Sequence, residues 1–168
     1  ATCASTTCLA RSPCAAAAMY RRSALLEVGG FDEDYFCYSE DVDLGFRLRL
    51  VGYRCLYVPS SVAHHVGSGT TGGHHSDFAV YHGHRNLVWS YVKDMPGALF
   101  WAFLPLHLAM NLVALVAFML RGQAGVICRS KRDAVLGLPK MWAKRRQVQS
   151  NRVVSWRAVL RVLEKGLR

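Results

Sequence analysis

The chain holds 168 residues, of which 52% are hydrophobic and 19% charged, a composition that supports one modest buried core and excludes a disordered polyelectrolyte. Its net charge of +10 is unevenly placed, with 8 Lys/Arg against 9 Asp/Glu in residues 1–120 and 13 against 2 in residues 121–168. Such a cationic tail on a near-neutral body points to anionic lipid headgroups or nucleic acid phosphates as the tail's partners. The six cysteines (Cys3, Cys8, Cys14, Cys37, Cys55 and Cys128) form no CxxC pair, so neither a zinc ribbon nor a dithiol redox motif is indicated, and reduced cytosolic thiols are expected.

The opening ATCASTTCLA carries no recognisable element, and without an initiator Met, a basic n-region or a cleavable signal pattern the chain is expected to be truncated at its N-terminus. Residues 14–20 (CAAAAMY) fit a buried strand or a short helix, which periodicity alone does not separate. SALLEV follows as a short helix, with Ser23 as N-cap and Gly29 beyond its end. After the acidic stretch FDEDYFCYSED, residues 40–51 set Val42, Phe46 and Leu50 beside Leu44, Leu48 and Val51. That is a wide apolar face at helical spacing, capped by Ser39 and ended by Gly52.

YRCLYV (53–58) reads as a short strand that stops at Pro59, and a Gly/Ser/Thr/His loop runs on to about Asp77. A helix is expected from Phe78 to Met95, with Tyr81, Arg85, Val88, Trp89 and Val92 near one face, broken by Pro96-Gly97; its aromatic residues read as core. Gly97 to Leu120 carries no formal charge and suffices to cross a hydrocarbon core of roughly 30 Å at about 1.5 Å per residue. Pro105, His107 and Asn111 interrupt it and the flanking Lys/Arg do not orient it, so a re-entrant or interfacial hairpin is the expected arrangement. Beyond it Trp142, Val148, Val153, Trp156, Val159, Leu160 and Leu163 alternate with Lys/Arg. This pattern suits helices lying on an anionic membrane better than a nucleic acid site.

The residues richest in chemistry are Gly29 to Gly52, GGFDEDYFCYSEDVDLGFRLRLVG, where a turn delivers an aromatic and acidic loop onto a helix N-terminus. A carboxylate in that first turn, such as Asp41, is held ionised by backbone N–H groups and the helix dipole, as a general base requires. The plainer alternative is that Glu40, Asp41 and Asp43 only satisfy the helix end. The histidines His64, His65, His74, His75, His82 and His84 resemble a metal cluster in composition, but the spacing gives no ligand geometry and solvated loop histidines account for them.

These residues occur in an order that resembles family-2 glycosyltransferases: Arg21-Arg22, Gly29-Gly30-Phe31-Asp32-Glu33, Phe36, Glu40-Asp41-Val42-Asp43-Leu44, Arg47, Gly52-Tyr53, Pro59, His65, Ser68, Thr70 and Gly72. Arg85-Asn86 and Lys93 with Pro96 match the rhamnosyltransferase-like branch, with Asp94 where that branch often has Asn. The resemblance implies an α/β fold, a partial GT-A domain followed by a membrane-associated helical tail, divided as 1–96, 97–120 and 121–168. It implies transfer of a sugar, rhamnose at the family level, from a nucleotide-sugar donor to a glycan or polyprenyl-linked hydroxyl with inversion. Asp41 is then the catalytic base with Glu40 supporting it, Ser68, Thr70 and Arg47 contact donor or acceptor, and His65 ligates a divalent metal, Mn²⁺ or Mg²⁺. The site would face the cytoplasm at a bacterial cytoplasmic membrane, with no nucleic acid partner. The donor-binding half with its DxD motif has no counterpart here, and Asp41-Val42-Asp43 sits in the helix and not after a strand. A non-catalytic membrane-associated fragment, or one subunit of a split enzyme, is the competing expectation.

Overall fold

In a computed structural model, the structure describes residues 8–10, 17–64 and 75–164. Two short strands, β1 (Cys8–Ala10) and β2 (Cys55–Tyr57), pair antiparallel with Leu9 opposite Leu56, and the remaining regular structure of the described residues is helical. The strand at residues 8–10 corrects the expectation of no element there: a three-residue strand has no periodicity of its own and is defined by its partner. Residues 17–20 form neither a strand nor a helix beyond one 3-10 residue, and 14–16 lie outside the described residues.

Helix α1 spans Arg22–Glu27, with Arg21 at the N-cap position and Ser23 already inside, two residues earlier than the expected cap. It ends where Gly30 N–H reaches back to the Leu25 carbonyl at 2.9 Å, with Gly29 and Gly30 at φ +78° and +70°. Residues with a Cβ resist that left-handed backbone, so the glycine pair sets the direction in which the chain leaves the helix. A 3-10 turn (Glu33–Tyr35) then leads to α2 (Glu40–Leu50). Ser39 holds the N-cap position at φ +66° but its side chain makes no capping bond, and the buried face of α2 is Asp43, Leu44, Gly45, Arg47 and Leu50. Asp43 and Arg47 thus share the buried face with Leu44 and Leu50 of the expected apolar face, while Phe46 packs partly buried against the core and Val42 is exposed.

Helix α3 (Asp77–Asp94) is the central support, capped by Ser76 Oγ accepting from Ala79 N–H at 3.2 Å. Helix α4 (Gly97–Leu120) runs without reversal through Pro105, which corrects the expected hairpin within that segment. The chain then folds back through α5 (Ala124–Leu136), α6 (Leu138–Ser150) and α7 (Trp156–Glu164). Helices α5 and α6 make the most extensive contacts with α3. Tyr35, Trp89, Tyr91, Val92, Phe100 and Met141 form one core cluster, and Leu50, Leu99 and Val159 a second. The basic tail thus contributes to the core. Arg145 of α6 is buried over the Phe100 ring and donates to the Val92 carbonyl at 2.7 Å, and Gln149 donates to the Asp94 carbonyl at 2.8 Å, so α6 side chains satisfy the C-terminal carbonyls of α3. Val153 and Val154 donate to the Leu50 carbonyl and tie the approach to α7 onto the end of α2.

Candidate active site

The loop between α1 and α2 is built from its acids and its backbone. Asp32 accepts from Asp34 N–H at 3.2 Å and starts the 3-10 turn, which drives Tyr35 into the core with no exposed surface. Beyond Tyr35 the chain enters the left-handed region at three non-glycine residues, Phe36 (φ +61°), Tyr38 (φ +65°) and Ser39 (φ +66°). Each costs on the order of 1–3 kcal/mol and persists only where the surroundings enforce it.

The enforcement comes from α3. Asn86, fully buried, donates its side-chain amide to the carbonyls of Tyr35 (2.9 Å), Cys37 (2.7 Å) and Tyr38 (2.7 Å). Arg85 donates to the carbonyls of Asp34 (3.2 Å) and Tyr35 (3.1 Å) while its guanidinium stacks on Trp89 at 4.2 Å. The loop that delivers α2 is therefore gripped from one side by two consecutive residues of one helix.

The three acids in the first turn of α2 have separate fates. Asp43 is fully buried: its Oδ2 accepts from Arg47 Nε and Nη2 at 2.8 and 2.6 Å, and its Oδ1 pairs with Lys93 of α3. Asp41 stays partly exposed, with Oδ1 accepting from the Val42 N–H at 2.8 Å, and Glu40 stands beside it, also partly buried. A carboxylate fixed at a helix N-terminus yet open to solvent is equipped to take a proton from a hydroxyl.

Arg47, expected at the donor or acceptor, is 6% exposed, and besides Asp43 its guanidinium donates to the carbonyls of Val28 and Gly30, each at 2.7 Å. Its position is that of a clamp holding the glycine turn to α2. His65, Ser68 and Thr70 lie outside the described residues. Among the described residues no three His, Cys, Asp or Glu side chains converge as a metal group would require.

Asp32 and Asp34, the acidic pair nearest the glycine turn, do not suit a cation because lysines already neutralise them. Asp32 pairs with Lys93 (2.6 Å) and Lys144 (2.5 Å), and Asp34 with Lys140 and Lys144, each at 2.6 Å. Burial pushes the Asp32 carboxyl up, but the two ammonium groups outweigh it and hold the group at about 2. Asp94, at the end of α3, behaves oppositely: full burial and the neighbouring Asp43 charge raise its carboxyl well above the usual range. Lys93, Lys140, Lys144, Gln147 and the glycine turn line an open cleft of about 630 Å³ between the loop and α6.

Of the described histidines, His64 and His75 are exposed, whereas His82 and His84 are partly buried on α3. His82 packs on Phe78 (4.6 Å) and Phe36 (5.4 Å), and burial with the nearby Arg85 charge lowers its pKa. His84 packs edge-on against Phe118 at 4.8 Å. The roles of Asn86, Lys93 and Asp94 were not read from the sequence. An Arg-Asn pair on an amphipathic helix gives no local sign that both side chains reach back across the fold.

Comparison with known proteins adds to this geometry. The family described as "Glycosyl transferase family group 2" matches residues 12–128, more than half of the chain. N-acetylglucosaminyl-diphospho-decaprenol L-rhamnosyltransferase from Mycobacterium tuberculosis (strain ATCC 25618 / H37Rv) is 51% identical over 65 residues, covering 38% of this chain and 21% of that protein. Rhamnosyltransferase WbbL from Escherichia coli (strain K12) is 49% identical over 47 residues, covering 28% of this chain and 18% of the relative. The similarity thus spans about a fifth of the length of these relatives. No solved structure matches the chain.

Proposed function

Because this chain belongs to glycosyl transferase family group 2, we propose that its α1–α2 loop and the start of α2 form the acceptor side of a sugar-transfer site, with Asp41 as the base. The observation that carries this reading is the separation of the three acids: Asp43 is consumed by Arg47 and Lys93, whereas Asp41 is held at the helix N-terminus with solvent access. Asp41 takes the proton of the acceptor hydroxyl as that oxygen bonds to the anomeric carbon. The bond to the nucleoside diphosphate breaks with its electron pair leaving on the phosphate oxygen, and attack from the opposite face inverts the centre. Glu40 adds negative charge beside Asp41 and is placed to orient the acceptor.

A divalent ion, when bound, neutralises charge on the departing diphosphate. His65 is the residue of this chain proposed to ligate it, and Ser68 and Thr70 are proposed donor contacts. The lysine-neutralised Asp32 and Asp34 are not part of that site.

The relatives' names support a rhamnose-like sugar, and the mycobacterial name a polyprenyl-linked acceptor; the nucleotide-linked donor follows from family membership. A membrane-bound acceptor accords with α4, whose 24 residues are long and apolar enough to cross a membrane and whose most apolar stretch is only 6% buried. With the basic surface of residues 121–168 this supports a location at the cytoplasmic face of a bacterial membrane. The remaining family expectation, a GT-A architecture in the whole enzyme, rests on family membership.

The test is radiolabelled sugar transfer into the lipid fraction from a panel of nucleotide sugars with Mn²⁺, using this chain and the chain extended by its upstream coding sequence. Incorporation from a rhamnose donor is expected. No incorporation from any donor by either protein would contradict the reading and favour a non-catalytic membrane component.

A further inference from the structure

We infer that Asn86, seconded by Arg85, is the positioning residue of this site: its amide holds the left-handed loop that aims Asp41. The inference rests on the reading of Asp41 as the base. Three carbonyls, from Tyr35, Cys37 and Tyr38, converge within 2.9 Å of the single Asn86 amide nitrogen, which has only two hydrogens to share among them. Tyr35 is fully buried and Cys37 and Tyr38 are only partly exposed, so the amide both satisfies these carbonyls and holds them together.

What the amide does supply is an anchor for a conformation the local sequence resists. Residues 36, 38 and 39 all carry side chains, yet all have positive φ, and Ser39 makes no capping bond of its own. The next residues are Glu40 and Asp41. A donor at residue 86 therefore fixes the entry angle of α2 and, through it, the direction of the Asp41 carboxylate, without touching substrate. Arg85 extends the grip to the carbonyls of Asp34 and Tyr35, and the ring of Trp89 beneath its guanidinium holds it in place.

The strain offers a test that a purely structural role does not pass. Glycine adopts positive φ without steric penalty, so Ser39→Gly lowers the strain the anchor must hold and compensates for a weakened anchor. The experiment measures kcat and acceptor KM per folded molecule for the parent, Asp41→Asn, Asn86→Ser, Arg85→Lys, and the last two combined with Ser39→Gly, in the longest version active in the transfer assay. Asn86→Ser is expected to lower kcat about 10²-fold with KM changed far less, as small misplacement of a reacting group does. Arg85→Lys, the milder change should Asn86→Ser fail to fold, is expected to cost about tenfold. Ser39→Gly is expected to return most of either loss. Loss of thermal stability with kcat intact, or a kcat loss that Ser39→Gly leaves unmoved, would overturn the positioning role. Full activity in Asp41→Asn would instead overturn the reading of the base.

Discussion

Asp41 and Asp43 stand two residues apart in one helical turn, and only their surroundings tell them apart. Asp43 meets Arg47 from its own helix and Lys93 from α3 in a site closed to solvent. Removing one partner of such a cluster leaves a buried cation uncompensated, so Asp43→Asn is expected to cost about 3–5 kcal/mol in denaturant unfolding. Asp32 adds a pH signature. Its folded pKa of about 2 lies below the unfolded value near 4, so its contribution is present above about pH 4 and lost as pH falls towards 2. Asp32→Asn is expected to flatten unfolding free energy across that window, measured by denaturant titration at several pH values. The sequence showed the acids and the turn of helix that carries them. It did not show which acid is buried, because an i,i+4 Asp43–Arg47 pair reads the same on an exposed face, and Lys93 arrives from a distant helix.

At the scale of elements, the boundaries were legible where the chain carries its own punctuation. Gly29-Gly30 ends α1, Gly52 follows α2, and Pro96 separates α3 from α4. The loop conformation was not legible, since Phe36, Tyr38 and Ser39 have no intrinsic leaning towards positive φ and take it from Asn86. The burial of α6 was hidden by its Lys and Arg content: a guanidinium such as that of Arg145 enters a core only when carbonyls and rings receive it. The joint of α5 and α6 gives a sharp prediction. A Cβ on Gly137 would lie 2.5 Å from the Trp89 ring, whose Nε1 also donates to the Ala134 carbonyl at 3.0 Å. Gly137→Ala is therefore expected to lower stability by about 1–3 kcal/mol, seen as an earlier thermal or denaturant midpoint.

The whole molecule combines a site on one set of elements with an exposed apolar helix and a cationic surface. Residues 121–168 carry 13 Lys/Arg against 2 Asp/Glu, and α4 exposes Trp101, Leu106, Leu108, Met110, Leu112 and Val116. Sedimentation with vesicles containing anionic lipid is expected to exceed that with neutral vesicles, and the excess is expected to shrink as salt rises from about 0.05 to 0.5 M. The family could be read from the order of motifs in the chain. The packing of α5 and α6 onto α3 could not, because their contacts join segments far apart in sequence. The central claim, that Asp41 and not Asp43 is the base, is tested most directly by the sugar-transfer rate per folded molecule of Asp41→Asn beside Asp43→Asn. The account predicts that Asp41→Asn loses about 10³-fold in rate at an unchanged unfolding midpoint, whereas Asp43→Asn loses stability first. Transfer by Asp41→Asn within a few-fold of the parent rate would contradict it.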